Sequence, residues 1–500
     1  MTEPYIIGID VGTGSAKALA IDLSGQVIHV VQRGYPTHSQ RAGMSEQDPE
    51  QIWEAFQQCI SNTVRQVGKQ PAAISISTAM HSLIPVAENG RALTYMMTWA
   101  DARSEDIAQA LRNSKQGPSF YRISGTPIHA MSPLCKILWI KKNDPLLFAA
   151  TSRFISIKAY IWHKLFGEFE VDHAIASAMG LFDIAELQWS ADILDYAGLT
   201  YLQLAKPVPT HHVRTDMIPT VATNMRLDPN TRVCIGASDG CAANLGTGVT
   251  TPGTAALTIG TSGAVRITSQ HPVYNDEAMT FNYILDSNTY ICGGAVNNGG
   301  LAVDWAISTL MQIDHPHQIH YDQFFQAAAD TLAGAEGLFF LPYLTGERAP
   351  IWDSSSNGAF IGLKQKHQHK HLFRAVLEGI CYTLCQIMNA LELNNISIEK
   401  IHVSGGFISS PVWLQILADV CGKKLVIVQT EDASAIGATI LAARALYPDD
   451  PRIEHFSQTA QTFVVPNKVN HKLYHDRLPI FSKLYLNLKE SMHLINDLRN

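Results

Sequence analysis

The sequence predicts an α/β fold built from two related domains, and three observations support this. Strand-like and helix-like segments alternate along the chain, which is typical of α/β proteins. A motif of strand, glycine-rich turn and strand occurs twice, as IGIDVGTGSAKAL at residues 7–19 and as ALTIGTSGAVRI at residues 256–267. The chain also has 500 residues, which is too long for one compact domain.

The first motif opens the chain with three extended segments. Residues 5–10 and 16–22 are largely apolar, and the glycine-rich turn separates them. A second turn precedes residues 26–32, so the three segments predict antiparallel strands. Residues 48–67 then show helical spacing behind a start signal of Asp and Pro, and residues 72–78 are typical of a buried strand.

The second motif begins the same pattern again. Two apolar segments flank the turn at residues 260–263. A cluster of Gly, Thr and Pro at residues 245–253 predicts a domain boundary, so we assign residues 1–247 to a first domain and residues 248–500 to a second. Residues after about 448 are expected to form a helical tail.

Composition and charge limit the classes of function. The net charge is −7 and no basic tract stands out, so nucleic acid is a poor partner. No apolar run approaches the roughly 20 residues that a membrane span needs, and the N-terminal segment lacks the features of a signal peptide. The eight cysteines are scattered without a CxxC pair, which indicates reduced core residues. We therefore expect a cytoplasmic protein with a small-molecule partner, no nucleic-acid or membrane partner, and an oligomeric state left open, a homodimer included.

The two glycine turns are candidate phosphate sites. Turns rich in Gly, Thr and Ser offer clustered backbone N–H groups without a Cβ atom in the way. Asp10 precedes the first turn, and a carboxylate there would repel phosphate unless a divalent cation lay between them. Mg²⁺ is usually held by one or two carboxylates together with water and phosphate oxygens, so Asp10 is the predicted metal ligand.

Each glycine turn taken alone is equally typical of an ordinary hairpin. Only the combination with Asp10 and the repeat favours phosphate binding. No GxxxxGK[ST] motif is present, which excludes a P-loop enzyme. The first turn lies between two strands and does not open a helix, which disfavours a dinucleotide-binding fold.

Two longer stretches carry the signatures of a known family. Residues 131–143 read MSPLCKILWIKKN, and residues 358–378 run from GAFIGL to HLFRAVLE. In order and spacing they resemble the FGGY family of carbohydrate kinases, and the similarity extends from residue 5 to about residue 443. The resemblance implies two actin-like (ribonuclease H-like) domains with an intervening cleft. It also implies Mg²⁺- and ATP-dependent phosphorylation of a small polyhydroxylated substrate.

Within that family, four stretches are similar to the bacterial gluconate kinases, which implies phosphorylation of D-gluconate to 6-phospho-D-gluconate. The segments at Met80-His81-Ser82 and at residues 99–103 depart from the usual xylulose kinase patterns, Met-His-Gly and Trp-Asn-Asp-Gly-Arg. Xylulose, ribulose, glycerol or another polyol remain alternative substrates. A non-catalytic nucleotide switch, like actin and the heat-shock ATPases, is disfavoured by Asp239 and the family signatures. The four stretches are residues 79–83, 97–104, 236–241 and 343–352.

The resemblance places the family's catalytic aspartate at Asp239, where it would accept the proton of the attacking hydroxyl. The residues alone fit a helix N-cap equally well, and the two roles are compatible. ATP would lie between the two turns and a third glycine-rich segment. The position of Lys17 is equally typical of an exposed, solvated lysine that binds no phosphate. The predicted ATP-binding residues are Thr13, Gly14, Ser15, Lys17, Gly260, Thr261, Ser262, Gly405, Gly406, Phe407 and Ser409.

Sugar recognition needs several polar groups that converge on hydroxyls. His81 follows the strand-like segment at residues 72–78, so we expect it at the edge of the cleft. Trp99, Asp101 and Arg103 alternate, so an extended segment would place all three on one sugar-binding face. Arg103 could also pair with the carboxylate of an aldonic acid, while an exposed, salt-bridged strand is the alternative for the three residues.

The resemblance adds Asp172 and Ser177 as substrate-binding candidates, because a similar stretch flanks the sugar site in the family. Glu347 and Arg348 follow an apolar run, which suggests the rim of the cleft, but the sequence assigns them no role.

Overall fold

The computed structural model describes residues 3–393, 396–430, 432–456 and 462–498. Two mixed β-sheets organise these residues, one in each half of the chain, and helices pack against both. No helix in this described part combines the length and the apolar character needed to cross a membrane.

The first half of the chain supplies β1 to β14 and α1 to α10. The strands are β1 Tyr5–Val11, β2 Ser15–Asp22, β3 Val27–Gly34, β4 Glu46–Gln47, β5 Ala73–Thr78, β6 Ile84–Val86, β7 Met96–Met97, β8 Arg153–Ile155, β9 Glu170–Asp172, β10 Phe182–Asp183, β11 Gln188–Trp189, β12 Lys206–Val208, β13 Val213–Arg214 and β14 Arg232–Cys234. The helices are α1 Pro49–Val67, α2 Glu105–Arg112, α3 Gly117–Ser124, α4 Pro133–Asn143, α5 Pro145–Ala150, α6 Ile157–Phe166, α7 His173–Ser177, α8 Ala191–Ala197, α9 Pro219–Asn224 and α10 Asp239–Gly246.

The second half supplies the remaining strands and helices. The strands are β15 Thr254–Ile259, β16 Gly263–Ser269, β17 Phe281–Asp286, β18 Thr289–Val296, β19 Phe339–Leu341, β20 Ala359–Ile361, β21 Lys400–Ser404, β22 Lys424–Ile427 and β23 Thr462–Val464. The helices are α11 Gly300–Leu310, α12 Gln318–Ala329, α13 His369–Glu392, α14 Pro411–Cys421, α15 Ala433–Leu446 and α16 Lys468–Asp497. Short 3₁₀ turns lie at Tyr201–Gln203, Ala335–Gly337, Gly406–Ser409 and Pro451–His455.

The two large sheets share one arrangement. The first has the spatial order β13-β14-β5-β1-β2-β3, and β1 pairs antiparallel with β2 and parallel with β5. The second has the order β17-β18-β16-β15-β21-β22-β23, and β15 pairs antiparallel with β16 and parallel with β21. The repeated motif therefore lies at the centre of both sheets, which confirms the prediction of two related α/β units.

The predicted helix at residues 48–67 is α1, and it begins one residue later because Asp48 is its N-cap. The Asp48 carboxylate accepts a hydrogen bond from Glu50 N at 2.9 Å, and Pro49 occupies the first helical position. Gly68 ends the helix with φ of 74°, a left-handed conformation that glycine adopts without steric cost.

The tail predicted to be helical contains more than a helix. Helix α16 fills most of it, but β23 pairs antiparallel with β22 and extends the second sheet. The sequence did not indicate this strand because it is only three residues long, too short to show a period.

Helices α10 and α15 cross at glycines, and this contact joins the two halves of the chain. A Cβ atom at Gly437 would lie 1.8 Å from Ala242 O, and one at Gly246 would lie 2.0 Å from the α15 backbone. Strand β1 approaches the same helix at Gly8, where a Cβ atom would lie 2.2 Å from a backbone oxygen of α15. Glycine is required for these approaches. They bring the ends of β1, α10 and α15 together, and each end carries an aspartate.

Candidate functional site

Side chains from both halves of the chain line a cavity of about 310 Å³. Its walls combine charged groups with aromatic rings, which suits a small polar ligand. The first half contributes Thr13, His81, Trp99 and Asp239, and the second contributes Gly260, Ser262, Arg266, Tyr283 and Arg348.

Asp239 lies at the start of α10, just beyond the end of β14. Ser238 rather than Asp239 is the N-cap, since its hydroxyl accepts from Cys241 N at 3.4 Å. The Asp239 carboxylate accepts a hydrogen bond from Gly240 N at 2.7 Å. Burial raises the pKa of Asp239, while the nearby Arg266 guanidinium acts in the opposite direction. The result is a carboxylate that faces the cavity and is more basic than an ordinary aspartate.

His81 also lines the cavity, but both of its ring nitrogens have protein partners. Nδ1 lies 2.7 Å from the carbonyl oxygen of Ala178, and Nε2 lies 3.1 Å from the Tyr283 hydroxyl. Burial lowers the pKa of His81 to about 3, so the ring is neutral at physiological pH. Nδ1 must then donate to Ala178 O, which leaves Nε2 to accept from Tyr283. His81 therefore orients Tyr283, and its backbone has φ of 62°.

Lys136 of α4 joins the two segments that carry His81 and Trp99. Its Nζ donates to the carbonyl oxygens of His81 and Thr98, both at 2.6 Å. The side chain is fully buried, and burial lowers the pKa of Lys136 to about 7. The sequence included Lys136 in a family signature, but its function as a buried connector became visible only in the fold.

The segment from residue 99 to residue 103 is bent, whereas an extended conformation was expected. Asp101 N donates a hydrogen bond to the Thr98 carbonyl oxygen at 3.2 Å, and Ala100 N donates one to the Thr98 hydroxyl at 3.3 Å. Only Trp99 faces the cavity, and its Nε1 donates to the Thr13 hydroxyl at 2.9 Å. The prediction of one shared face was wrong because local side-chain hydrogen bonds form a turn here.

Asp101 and Arg103 pair with each other away from the cavity. Arg103 Nε lies 3.1 and 3.0 Å from the two carboxylate oxygens of Asp101, and its Nη2 lies 2.5 Å from Glu46 Oε1. The guanidinium also stacks over the Trp139 ring at 5.1 Å. Both carboxylates are thus already bound by Arg103, and the structure does not bring Asp101 or Arg103 to the cavity wall.

Asp172 and Ser177 likewise lie within the protein interior. Asp172 caps α7 through Ile175 N at 3.0 Å and lies 3.2 Å from Lys158 Nζ. The Ser177 hydroxyl accepts from Ile284 N at 3.0 Å, which ties α7 to β17. Their contacts fix neighbouring elements, and neither residue lines the cavity.

The first glycine turn connects β1 to β2 at one end of the cavity. Gly12 N donates to Ser15 O at 3.0 Å, and the Tyr35 hydroxyl donates to Gly12 O at 2.5 Å. Nothing lies within 4 Å of the position that a Cβ atom on Gly14 would occupy, so the turn is open on that side. The Ser15 hydroxyl accepts from Gln32 Nε2 at 2.8 Å.

Two other carboxylates act electrostatically on Asp10, the residue near the end of the strand before this turn. Burial raises the pKa of Asp10 well above its usual range, and the charges of Asp432 and Asp239 raise it further. The Ser77 hydroxyl donates to Asp10 at 2.6 Å and partly offsets these effects. Asp432 caps α15, and Lys17 Nζ lies 3.9 Å from it. The sequence identified Asp10 and Lys17 but missed Asp432, which comes from the far end of the chain.

The second glycine turn separates the first cavity from another of about 280 Å³. Gly260 lines both cavities. Gly300 N donates to Gly260 O at 2.7 Å, and Leu301 N donates to Thr261 O at 3.1 Å. The start of α11 therefore fixes the position of the turn. A ligand that filled both cavities would cross this turn.

The predicted third glycine-rich segment lines the second cavity through Gly406, Phe407 and Ser409. Gly405 lies just outside the lining, with φ of 102° and a hypothetical Cβ atom only 2.4 Å from Ile259 O. The sequence did not identify several other lining residues, because they lie along helices whose approach to this cavity only the fold determines. These are Val303, Asp304, Gln318, Tyr321, Phe325 and Trp413.

Glu347 and Arg348, which the sequence left without a role, are buried at the first cavity. Glu347 accepts from Asn297 N at 2.5 Å and Asn298 Nδ2 at 3.0 Å, and burial raises the pKa of Glu347 to about 7. Arg348 lies 4.8 Å over the Trp99 ring and donates to Asn297 Oδ1 at 2.8 Å. Glu347 therefore anchors the loop, and Arg348 presents a cation to the cavity.

Comparison with known proteins matches both halves of the chain to one family. Residues 5–246 match the N-terminal domain of the FGGY family of carbohydrate kinases, and residues 255–446 match its C-terminal domain. A gluconokinase from Bacillus licheniformis is 37% identical, over 96% of this chain and 95% of the relative.

Solved structures give the same result. A gluconate kinase from Lactobacillus acidophilus superposes with a TM-score of 0.92 at 33% identity, covering 97% of this chain and 98% of that one. A ligand-bound xylulose kinase from Lactobacillus acidophilus has a TM-score of 0.94 at 32% identity, covering 98% and 100%. This chain therefore belongs to the FGGY family of carbohydrate kinases.

Proposed function

We propose that this carbohydrate kinase uses ATP to phosphorylate D-gluconate, forming 6-phospho-D-gluconate. The observation that carries the proposal is the first cavity, where Asp239 and two arginines line a space suited to a small polyhydroxylated acid. The similarity to the gluconokinase of Bacillus licheniformis supports the same substrate.

In the proposed reaction, Asp239 acts as the general base. The substrate hydroxyl oxygen forms a bond to the γ-phosphorus of ATP, the bond to the β–γ bridging oxygen breaks, and ADP leaves. The hydroxyl proton passes to an Asp239 oxygen. Burial favours this role, because it raises the proton affinity of the carboxylate while leaving it accessible from the cavity.

ATP is proposed to extend from the second cavity across the second glycine turn to the first turn. Phe407 and Trp413 would contact the adenine, since both rings line the second cavity. The backbone N–H groups near Gly14 and Gly260 would face phosphates, because a Cβ atom at either glycine would meet nothing within 4 Å. Thr13, Ser15, Thr261 and Ser262 flank these positions.

The residues at the first turn fit a Mg²⁺ ion. Asp10 is a half-buried carboxylate whose pKa is raised by loss of solvent and by the like charges of Asp432 and Asp239, and a cation would relieve that repulsion. We propose that Asp10 holds Mg²⁺ together with water and phosphate oxygens. When bound, the ion would neutralise charge on the phosphates.

We also propose that the chain divides into domains at residues 247 and 248. The two family matches end at residue 246 and begin at residue 255, which supports a boundary between them. Closure of the two domains would exclude water from the γ-phosphate. Small-angle scattering with gluconate and a non-hydrolysable ATP analogue should show compaction, and an unchanged radius of gyration would contradict closure.

The test of function is a kinase assay with gluconate, xylulose and glycerol at equal concentration. We expect fast ADP release with gluconate and a product that mass and NMR spectra identify as 6-phosphogluconate. A preference for xylulose would mean that the proposed reaction is right and the proposed substrate is wrong. Xylulose is included because the chain is similar to the Lactobacillus acidophilus xylulose kinase. A nucleotide switch would instead hydrolyse ATP slowly at a rate indifferent to every sugar.

A further inference from the structure

We propose that Arg266 binds the substrate carboxylate and thereby selects sugar acids over neutral polyols. The proposal rests on the proposed function and extends it to the residue that recognises the acid. It replaces Arg103, the arginine that the sequence suggested for this role.

Arg266 has an unusual environment for an arginine. It lies on β16 and lines the first cavity, through which the side chain is partly accessible. Its Nε is buried and has no hydrogen-bond partner among the described residues. A guanidinium that loses water without gaining a partner is costly, so the empty donor indicates a ligand that completes the site.

The chemistry of that ligand follows from the charges nearby. Arg348 lines the same cavity, and its own pKa is lowered by burial and, to a lesser extent, by the positive charge of Arg266. Two cations that face one cavity are stabilised by an anion between them. A carboxylate matches the planar fork of N–H donors that arginine presents.

Arg266 and Asp239 line the same cavity without forming an ion pair. The charge of each residue shifts the pKa of the other. Among the described residues, no carboxylate, that of Asp239 included, lies within 4.0 Å of an Arg266 nitrogen, the limit for an ion pair. The Arg266 guanidinium is therefore not neutralised by Asp239, and a ligand carboxylate in the same cavity could pair with it. A neutral polyol would leave the guanidinium unpaired and would therefore bind more weakly.

The residue after the base gives Arg266 its space. A Cβ atom at Gly240 would lie 3.2 Å from Arg266 Nε and 2.9 Å from Met80 Cε. A side chain at position 240 would therefore force Met80 to move and would crowd the guanidinium. Arg103 has no comparable freedom, because Asp101 and Glu46 already occupy its donors.

The experiment compares Arg266→Met and Arg266→Lys with wild type, using D-gluconate and D-glucitol. Glucitol has the same six-carbon chain with a neutral hydroxymethyl group in place of the carboxylate. The KM for gluconate should rise by about 10- to 100-fold in Arg266→Met, the range for losing hydrogen bonds to a charged group. The KM for glucitol should stay at the wild-type value. Where glucitol turns over too slowly for a KM, its Kd from titration calorimetry is compared instead.

Arg266→Lys keeps a cation in the cavity but loses the planar fork, so we expect a smaller, still gluconate-specific rise in KM. Arg103→Lys is the comparison variant, and any effect it has should be equal for the two substrates. A second readout separates recognition from an effect on the base. Since Arg266 lowers the pKa of Asp239, the acid limb of kcat/KM should move to higher pH in Arg266→Met with both substrates.

Three outcomes would overturn the proposal. The KM for gluconate and the KM for glucitol could rise equally in both Arg266 variants, which would make Arg266 a residue that only positions Asp239. Arg103→Lys could lose gluconate selectively, which would make Arg103 the ligand of the carboxylate. A wild-type enzyme that phosphorylates only neutral sugars would instead refute the proposed function, and the carboxylate site with it.

Discussion

The two cavities that meet at Gly260 are built differently. The first contains Asp239, Arg266 and Arg348, and its neutral His81 has no free ring nitrogen. The second is lined by glycines and by aromatic rings such as Phe407 and Trp413, with Asp304 as its acidic residue. Buried charges discriminate among ligands strongly, because an unmatched ligand leaves them unpaired, whereas apolar walls bind by shape. The first cavity is therefore expected to control substrate choice and chemistry, and the second to control nucleotide affinity.

The largest effect should come from the base. In Asp239→Asn we expect kcat to fall by about 10²- to 10⁴-fold, the usual range for losing a positioned proton acceptor. The Kd for gluconate and for ATP should stay close to wild type, since the amide has the same shape. Single-turnover kinetics and calorimetry measure the two quantities separately. A turnover near the wild-type rate would remove Asp239 from the role of base.

The next effect tests Lys136, the buried connector between the segments that carry His81 and Trp99. Lys136→Met leaves the carbonyl oxygens of His81 and Thr98 without their donor, so we expect a loss of about 2–4 kcal/mol in the free energy of unfolding. The KM for gluconate should rise and the KM for ATP should not. Denaturant titration and steady-state kinetics give these values.

Lys141→Met is the matched control, because Lys141 lies on the same helix and donates to one carbonyl, Ala197 O at 3.0 Å, outside the cavity. It should leave both KM values unchanged. If the two lysine variants altered the gluconate KM alike, the connector would have no special link to the first cavity.

The pH dependence of kcat/KM should show which group of the first cavity titrates. Asp239 must be ionised to accept a proton, and burial raises its pKa above the ordinary value of 3.8, so activity should fall with decreasing pH at a higher pH than for an exposed aspartate. Below that pKa the rate should drop about tenfold per pH unit.

His81 serves as the control for this fall in kcat/KM at low pH, the acid limb of the profile. Its pKa is lowered to about 3, so the ring stays neutral over the pH range in which Asp239 is expected to titrate. His81→Asn should lose activity without moving the limb. A limb that disappeared in His81→Asn would assign the titration to the imidazole instead.

The smallest effect should arise in the second cavity. Asp304→Ala removes an acceptor at the proposed nucleotide site, and we expect the KM for ATP to rise by about 2- to 10-fold, as for one exposed hydrogen bond. The gluconate KM should be unaffected. Tyr321→Phe is the paired variant, since the Tyr321 hydroxyl donates to Asp304 at 2.8 Å, and it should have the weaker effect. A change in gluconate KM in either variant would contradict the separation of the two cavities.

Much of the site could be predicted from local sequence. Asp239, His81, Trp99 and the residues of both glycine turns follow strand ends in recognisable motifs, and motif position tells which end of a sheet a residue occupies. Arg103 was misplaced for a physical reason. Its alternation with Trp99 assumed an extended backbone, but the side chain of Thr98 and the pairing with Asp101 folded the segment into a turn.

The sequence by itself determined the two α/β units, their strand–turn–strand openings and the family, because these depend on short-range patterns of apolar residues and glycine. Only the tertiary structure decided that Arg266 and Arg348 line one cavity, that Lys136 holds two loops, and that the charge of Asp432 acts on Asp10. These residues are separated by tens to hundreds of positions, and their meeting depends on how the sheets and the glycine-mediated crossing of α10 and α15 pack. Burial and charge, which set their chemistry, exist only once that packing is complete.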